Sequence, residues 1–251
     1  MFECLVTIER NTEAPSTELP PGTVPIEVWS DVGCPWCYIG KHRFAAALDE
    51  FPQRDRVAVV WRSYQIAPDT PVGARRTELE ALVEHKGMSG DQVRQMFRHV
   101  AGIAAADGLV MDFENAFAAN TFDAHRLLHV AGERQEALLE ALFRAHFTER
   151  KVLDDRAVLV EIAASVGMDA EEAAAALDGN AGADLVRADL EAARQLRISG
   201  VPFFVANRSL AVSGAQPKEV FTELLRQAVE QVQGETRESS AGLGVDAETC
   251  N

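Results

Sequence analysis

Between Pro25 and Ser30 the chain reads PIEVWS, with Ile26 and Val28 alternating against Glu27 and Trp29, the two-residue period of a strand. Residues Arg56 to Tyr64 (RVAVVWRSY) are β-branched and aromatic and read as a second strand. The stretch between them, CPWCYIGKHRFAAALDEF, reads as a helix with Pro35 in its first turn, where a missing N–H costs nothing. From Thr77 to Arg197 the pattern shifts to a 3.6-residue period in long Ala/Leu/Glu/Arg segments. Ser89 is placed to cap a helix that closes at Gly108, and NTFDAHRLLHVAGERQEALLEALFRAHFTERK reads as two helices broken near Gly132. DDRAVLVEIAASVG and DAEEAAAALDG are two further amphipathic segments, and a last helix of the block runs from about Ala183 to Leu196. Val201 to Ala206 (VPFFVA) and Ser209 to Ser213 (SLAVS) then form two short strands around Asn207-Arg208, the pattern of an antiparallel hairpin. A closing amphipathic helix covers Gln216 to Gln231.

The order β-α-β, helical block, β-β-α implies an α/β fold whose two halves, 24–66 and 198–233, flank an inserted all-helical domain, 67–197. No repeat of fixed period is present, which argues against a solenoid. Residues 1–23 are polar and Pro/Thr/Glu-rich and are expected to be a flexible extension. The stretch 234–251 has few apolar residues and no periodicity, and is expected to be a disordered tail.

Composition narrows the function. Of 251 residues, 47% are apolar and 25% charged, ordinary for a globule and unlike a disordered or collagenous chain. The formal charge of −15 gives a surface that repels phosphate backbones and anionic headgroups, so neither nucleic acid nor a membrane is expected as a partner. No apolar run approaches the length of a bilayer span, and the N-terminal residues, with Glu3 and Glu9, do not read as a secretory signal. The expected compartment is the cytoplasm.

Four cysteines are too few for a disulfide framework, and their placement carries more information. Cys34 and Cys37 form CPWC at a strand-to-helix junction. The unpaired N–H groups and dipole of a helix N-terminus favour negative charge on Cys34, whose pKa is expected to be lowered. Cys34 is then the attacking thiolate and Cys37 the resolving thiol of a redox-active pair. Against this stands half of a zinc site, which would need a second pair of ligands. His125 and His129 are four residues apart, but HRLLH is equally explained as one helix face, so no metal is expected. Gly200-Val201-Pro202 precedes a strand, where a proline is poorly tolerated unless the strand is an edge. A cis Val201–Pro202 bond would free the backbone of Val201 to pair with an extended substrate.

Strand-CPWC-helix-strand, a helical insertion and GVPFFV-hairpin-helix together resemble the DsbA-like branch of the thioredoxin superfamily. The stretches SDVGCPWCYIGKHRF, NTFDAHRLLHVA and GVPFFVANRSLAVSGAQP look most like its FrnE-type proteins, and the likeness covers about 24–231. The resemblance implies a thioredoxin-like fold and a thiol–disulfide oxidoreductase or isomerase, acting on protein or small-molecule thiols, with Pro202 in cis facing Cys34. No bound cofactor is implied beyond the redox-active disulfide, with glutathione as a candidate co-substrate. Related glutathione-dependent kappa-class transferases and 2-hydroxychromene-2-carboxylate isomerases usually carry Ser at the position of Cys34 and lack the second thiol. They are the alternative reading, and the presence of Cys37 argues against it.

Trp36, between the two cysteines, either meets substrate chains or packs on the helical block. Glu27 is a candidate for the buried acid that thioredoxin-like proteins often place beneath the resolving cysteine; otherwise it is a strand residue facing solvent or an Arg or Lys. Asn120 and His125 fall in the helices that, by resemblance, cover the active site, although Asn120 also suits a helix N-cap. Lys41 and His42 are expected on a solvated helix face. Cys4 and Cys250 are candidates for an auxiliary pair or an exchanging tail thiol; FrnE-type proteins can carry a second cysteine pair near the C-terminus, whereas here a single cysteine is present there.

Overall fold

A five-stranded mixed sheet runs in the order β1-β5-β4-β2-β3. Its strands are β1 (Leu5–Thr7), β2 (Val24–Ser30), β3 (Val57–Ser63), β4 (Phe203–Ala206) and β5 (Leu210–Ser213). The structure, a computed structural model, describes residues 5–7, 20 and 22–241, of which 235–241 are described as backbone only. β2 is parallel to β3, with Val24 opposite Val57 and Ser30 opposite Ser63, and antiparallel to β4, with Val28 opposite Phe204. The β4–β5 hairpin turns through Asn207 and Arg208 at φ values of 49° and 54°, two left-handed residues in succession as a tight hairpin requires.

Nine α-helices are described: α1 (Pro35–Asp49), α2 (Glu78–Lys86), α3 (Gly90–Ala106), α4 (Phe122–Val130), α5 (Gln135–Phe147), α6 (Arg156–Ser165), α7 (Ala170–Asp178), α8 (Ala183–Gln195) and α9 (Lys218–Ala241). α2 to α8 all lie between β3 and β4 in the chain. Ser89 and Thr77 each close a capping box, with Gln92 and Glu80, so the starts of α3 and α2 are set by local chemistry.

β2 is covered on both faces. Ile26 and Val28 look toward α1 and α9, where Phe221 packs edge to face on Phe44 and Phe204 at 5.6 and 4.6 Å, and Phe44 lies tilted against Phe204 at 5.2 Å. Trp29 and Val205 look the other way, against Ala193 of α8 and Ile198. Trp29 Nε1 donates to Asp189 O at 3.1 Å, which satisfies the one polar atom of that indole. The helix carrying CPWC is thus pinned between the sheet, α9 and, through Tyr38 stacked on Phe143 at 4.9 Å, α5.

Two expectations about the chain ends are corrected. Leu5–Thr7 lie in the stretch expected to be a flexible extension, yet they pair antiparallel with β5, Leu5 opposite Val212 and Thr7 opposite Leu210. Three residues carry almost no periodicity; the strand exists because β5 offers an open edge. At the other end α9 does not stop near Gln231 but runs through Gly234 to Ala241. One glycine costs a helix about 1 kcal/mol, too little to end one already anchored by a buried stretch. Among the described residues no helix is long and apolar enough to cross a membrane.

Candidate functional site

β2 delivers the chain to the turn Asp31-Val32-Gly33, and Cys34 is the N-cap residue of α1 with Pro35 in the first turn. No side chain caps this helix end, so its first N–H groups face the region of Cys34. Both cysteines are free thiols. Cys34 keeps 6% of its surface open to solvent and Cys37 only 1%, so the pair is approached through a narrow opening at Cys34.

The second half of the site comes from across the sheet. The Val201–Pro202 bond is cis, and Cys34 Sγ donates to Val201 O at 3.7 Å. Pro202 packs directly on α1: a Cβ at Gly40 would stand 2.7 Å from Pro202 Cγ. Gly40 therefore lets the two halves close on each other. An isolated glycine inside a helical pattern was the available sequence signal for it.

Cys37 is held from beneath. Asp31 N–H donates to Cys37 Sγ at 3.4 Å. Burial and the neighbouring Cys34 push the Cys37 thiol well above its usual range, outweighing the Asp31 N–H and Ser30, which favour the thiolate. Cys37 is therefore protonated at rest.

The buried acid of the site is Asp31, not Glu27. The period of two places Glu27 with Trp29 on the α8 face, away from α1. There Glu27 accepts from Arg62 Nη2 at 2.7 Å and from Arg208 Nε at 3.3 Å, so it is an ion-paired strand residue. Asp31 is 1% exposed, and its carboxylate accepts from Gly33 N at 3.2 Å, Ile66 N at 2.7 Å and His125 Nε2 at 3.3 Å. Burial alone would raise this carboxyl, but His125 and the two amides outweigh it and hold it below the ordinary value. An Asp three residues before Cys34, in the turn leaving a strand, was a signal the sequence offered.

His125 reaches the site through Asp31. Asn120 does not cap α4 at the N-cap position, which belongs to Thr121. Its side chain instead ties loops together: Oδ1 accepts from Phe122 N at 3.0 Å, and Nδ2 donates to Thr70 O at 2.9 Å. Trp36 is half-buried and packs against the main core. Lys41 is buried rather than on a solvated face, whereas His42 keeps 35% of its side chain exposed. Both bind Glu140 of α5, Lys41 at 2.9 Å and His42 at 3.1 Å, and Tyr38 adds a third hydrogen bond at 2.9 Å. Facing α5 rather than water is decided by the packing of the helical block on α1. His125 and His129 hold separate carboxylates, and among the described residues no three His, Cys, Asp or Glu side chains gather as a metal would need. Cys4 and Cys250 lie outside the described residues.

The family model for a DSBA-like thioredoxin domain matches residues 25–226. The crystal structure of a probable DsbA oxidoreductase from Streptomyces coelicolor superposes with a TM-score of 0.77 at 42% identity, covering 91% of this chain and 94% of that one. The cytosolic disulfide reductase DsbM from Pseudomonas aeruginosa shares the fold at a TM-score of 0.54 and 22% identity, over 82% of this chain and 99% of its own. In sequence, the uncharacterized protein YwbO of Bacillus subtilis strain 168 is 26% identical over 209 residues, which is 81% of this chain and 96% of that one. With a two-cysteine turn at the head of α1 and a cis-proline against it, the chain belongs to the DsbA-like thioredoxin-domain family of thiol–disulfide oxidoreductases.

Proposed function

We propose that this protein catalyses thiol–disulfide exchange with Cys34 as nucleophile and Cys37 as resolving thiol. One observation carries the reading: Cys34 is the N-cap residue of a helix, its Sγ 3.7 Å from Val201 O beside a cis-proline, with Cys37 buried one turn behind. The Cys34 thiolate attacks one sulfur of a substrate disulfide; that bond breaks, a Cys34–substrate disulfide forms, and the second substrate sulfur leaves and takes a proton. Cys37 then gives up its proton and attacks Cys34. The Cys34–Cys37 bond forms, the remaining substrate sulfur leaves as a thiol, and the substrate has gained the two electrons the pair has lost. Run backwards, the same steps oxidise a dithiol.

The helix N-terminus supports negative charge at Cys34, and the Asp31 N–H supports it at Cys37. Val201 supplies a main-chain acceptor for an extended substrate, and Trp36 an apolar flank beside the opening. The substrates in this reading are protein or small-molecule thiols and disulfides. The working redox group is the cysteine pair itself, and glutathione is a thiol of the class that would reduce it.

Insulin reduction tests this. Cys34→Ala should abolish turnover, and Cys37→Ser should accumulate a mixed disulfide between Cys34 and substrate. Turnover retained in Cys34→Ala would overturn the assignment. Turnover that survives Cys37→Ser and requires glutathione would replace it with the transferase or isomerase reading.

A further inference from the structure

Every polar group of Asp31 is engaged inside the site. Its main-chain oxygen accepts from Cys34 N at 2.9 Å, and its N–H donates to Cys37 Sγ at 3.4 Å, so one residue bonds to both cysteines of the pair. Its carboxylate accepts from Gly33 N in the same turn, from Ile66 N in the loop after β3 and from His125 Nε2 on α4. Three separate parts of the chain thus converge on one side chain. Asp31 and His125 are 1% and 2% exposed, so the contact between them lies inside the protein. An ionised carboxylate has no proton to give, which makes Nε2 of His125 the donor at 3.3 Å.

The peptide unit between Ser30 and Asp31 is what meets Cys37. Its oxygen accepts from Tyr64 N at 3.0 Å, and its N–H faces the sulfur. That N–H matters most during resolution. The Cys37 thiol is buried and protonated at rest, and it takes on negative charge as it attacks Cys34. A donor already aimed at the atom where charge develops stabilises that charge with no reorganisation at the moment of reaction. The aim depends on where the turn after β2 sits. Tyr64 holds one side of the peptide unit, and the Asp31 carboxylate anchors the other. Two of the carboxylate's three donors are main-chain N–H groups; the third is a side chain, and it comes from the helical block.

We propose that His125 is a positioning residue for the resolving step: from α4 it holds the Asp31 carboxylate, and through it the N–H that faces the Cys37 sulfur. This rests on the assignment of Cys37 as the resolving thiol. In that step the Cys37 S–H bond and the Cys34–substrate bond break and the Cys34–Cys37 bond forms. The proton ends on the departing substrate sulfur. His125 exchanges no proton and touches no reacting atom. By this contact the helical block takes part in releasing a captured substrate. His129, one turn further along α4, binds Asp189 at 2.9 Å and Ser63 at 3.0 Å instead of Asp31, and so supplies a matched control.

The test separates the two chemical steps. In a Cys4→Ser, Cys250→Ser background, the reduced protein is mixed with the chromogenic disulfide dithiobis-nitrobenzoate in a stopped-flow instrument. Attack by Cys34 releases one thionitrobenzoate, and resolution by Cys37 releases the second. His125→Asn carries an amide that reaches only as far as the ring's Nδ1, so it lets go of Asp31. It should slow the second release about tenfold and leave the first within about twofold, the scale of a misaligned donor. His125→Gln, whose amide reaches as far as Nε2, should restore the second release. Asp31→Asn, which weakens the same contact from the other side, should show the same split between the two releases. His129→Asn removes a buried contact from the same helix and should leave both releases within about twofold. A second release at the parental rate in both His125→Asn and Asp31→Asn, an equal slowing of both releases, or the same split in His129→Asn would overturn the proposal. A parent protein that shows the first release without the second would instead overturn the assignment of Cys37 itself.

Discussion

Replacing Asp31 with asparagine keeps the shape of the side chain and removes its charge. In the parent the carboxylate is buried and accepts from two backbone amides and one imidazole. Asparagine has one acceptor oxygen, so its NH₂ must face either Ile66 N–H or the pair Gly33 N–H and His125 Nε2–H. Either orientation places donor against donor and leaves a buried N–H without a partner. A hydrogen bond to a charged group contributes about 1.5–3 kcal/mol and an orphaned buried donor costs about 1–3 kcal/mol, so the expected loss at neutral pH is about 2–4 kcal/mol. For a chain of this size that lowers Tm by roughly 5–15 °C. Denaturant titration of parent and variant, with m unchanged, reads the difference directly. Its pH dependence follows in sign from the depressed carboxyl of Asp31. The stabilisation is complete above the ordinary Asp value and disappears as pH falls through the lower folded-state value, so the parent should approach the variant in acid. A variant within about 0.5 kcal/mol of the parent at pH 7 would refute the reasoning, because the three contacts would then contribute nothing net.

Two further outcomes are expected. Gly40→Ala forces a methyl group to 2.7 Å from Pro202 Cγ, which should cost about 1–3 kcal/mol and lower insulin reduction by displacing Pro202 from α1; unchanged stability and turnover would show that the contact is slack. At Glu140, burial would raise the carboxyl, but His42, Lys41 and Tyr38 outweigh it and bring it to about 2. That shift corresponds to about 3 kcal/mol at most, and solvent screening at a group this exposed reduces the expected loss in Glu140→Gln to about 1–2 kcal/mol. The loss should be present above about pH 4.5 and vanish as pH falls through about 2; a loss independent of pH would assign it to packing.

Much of the site was legible in order along the chain. CPWC between a strand and a helix placed Cys34 at the helix start, because the hydrophobic period changes from two to 3.6 at that point. Gly200-Val201-Pro202 at the entry to FFVA pointed to the cis bond, since a proline entering an internal strand has few other solutions. The capping boxes at Thr77 and Ser89 are likewise local, each closed within four residues. Glu27 was legible as a buried acid but not in its direction. Which face a strand residue joins depends on what covers the sheet, and here α8, Arg62 and Arg208 draw Glu27 away from the cysteines.

The sequence by itself determined the local matters: where strands and helices fall, which sulfur heads a helix, and where the chain turns. Those follow from dihedral preferences, hydrophobic period and capping, all of which act within a few residues. Tertiary structure alone decided the partners of Asp31, the seat of Pro202 on Gly40 and the addition of β1 to the edge of β5. Each of these joins residues far apart in the chain through burial. A buried polar group takes whichever donor or acceptor the folded core brings to it, and the linear order of residues carries no record of that choice.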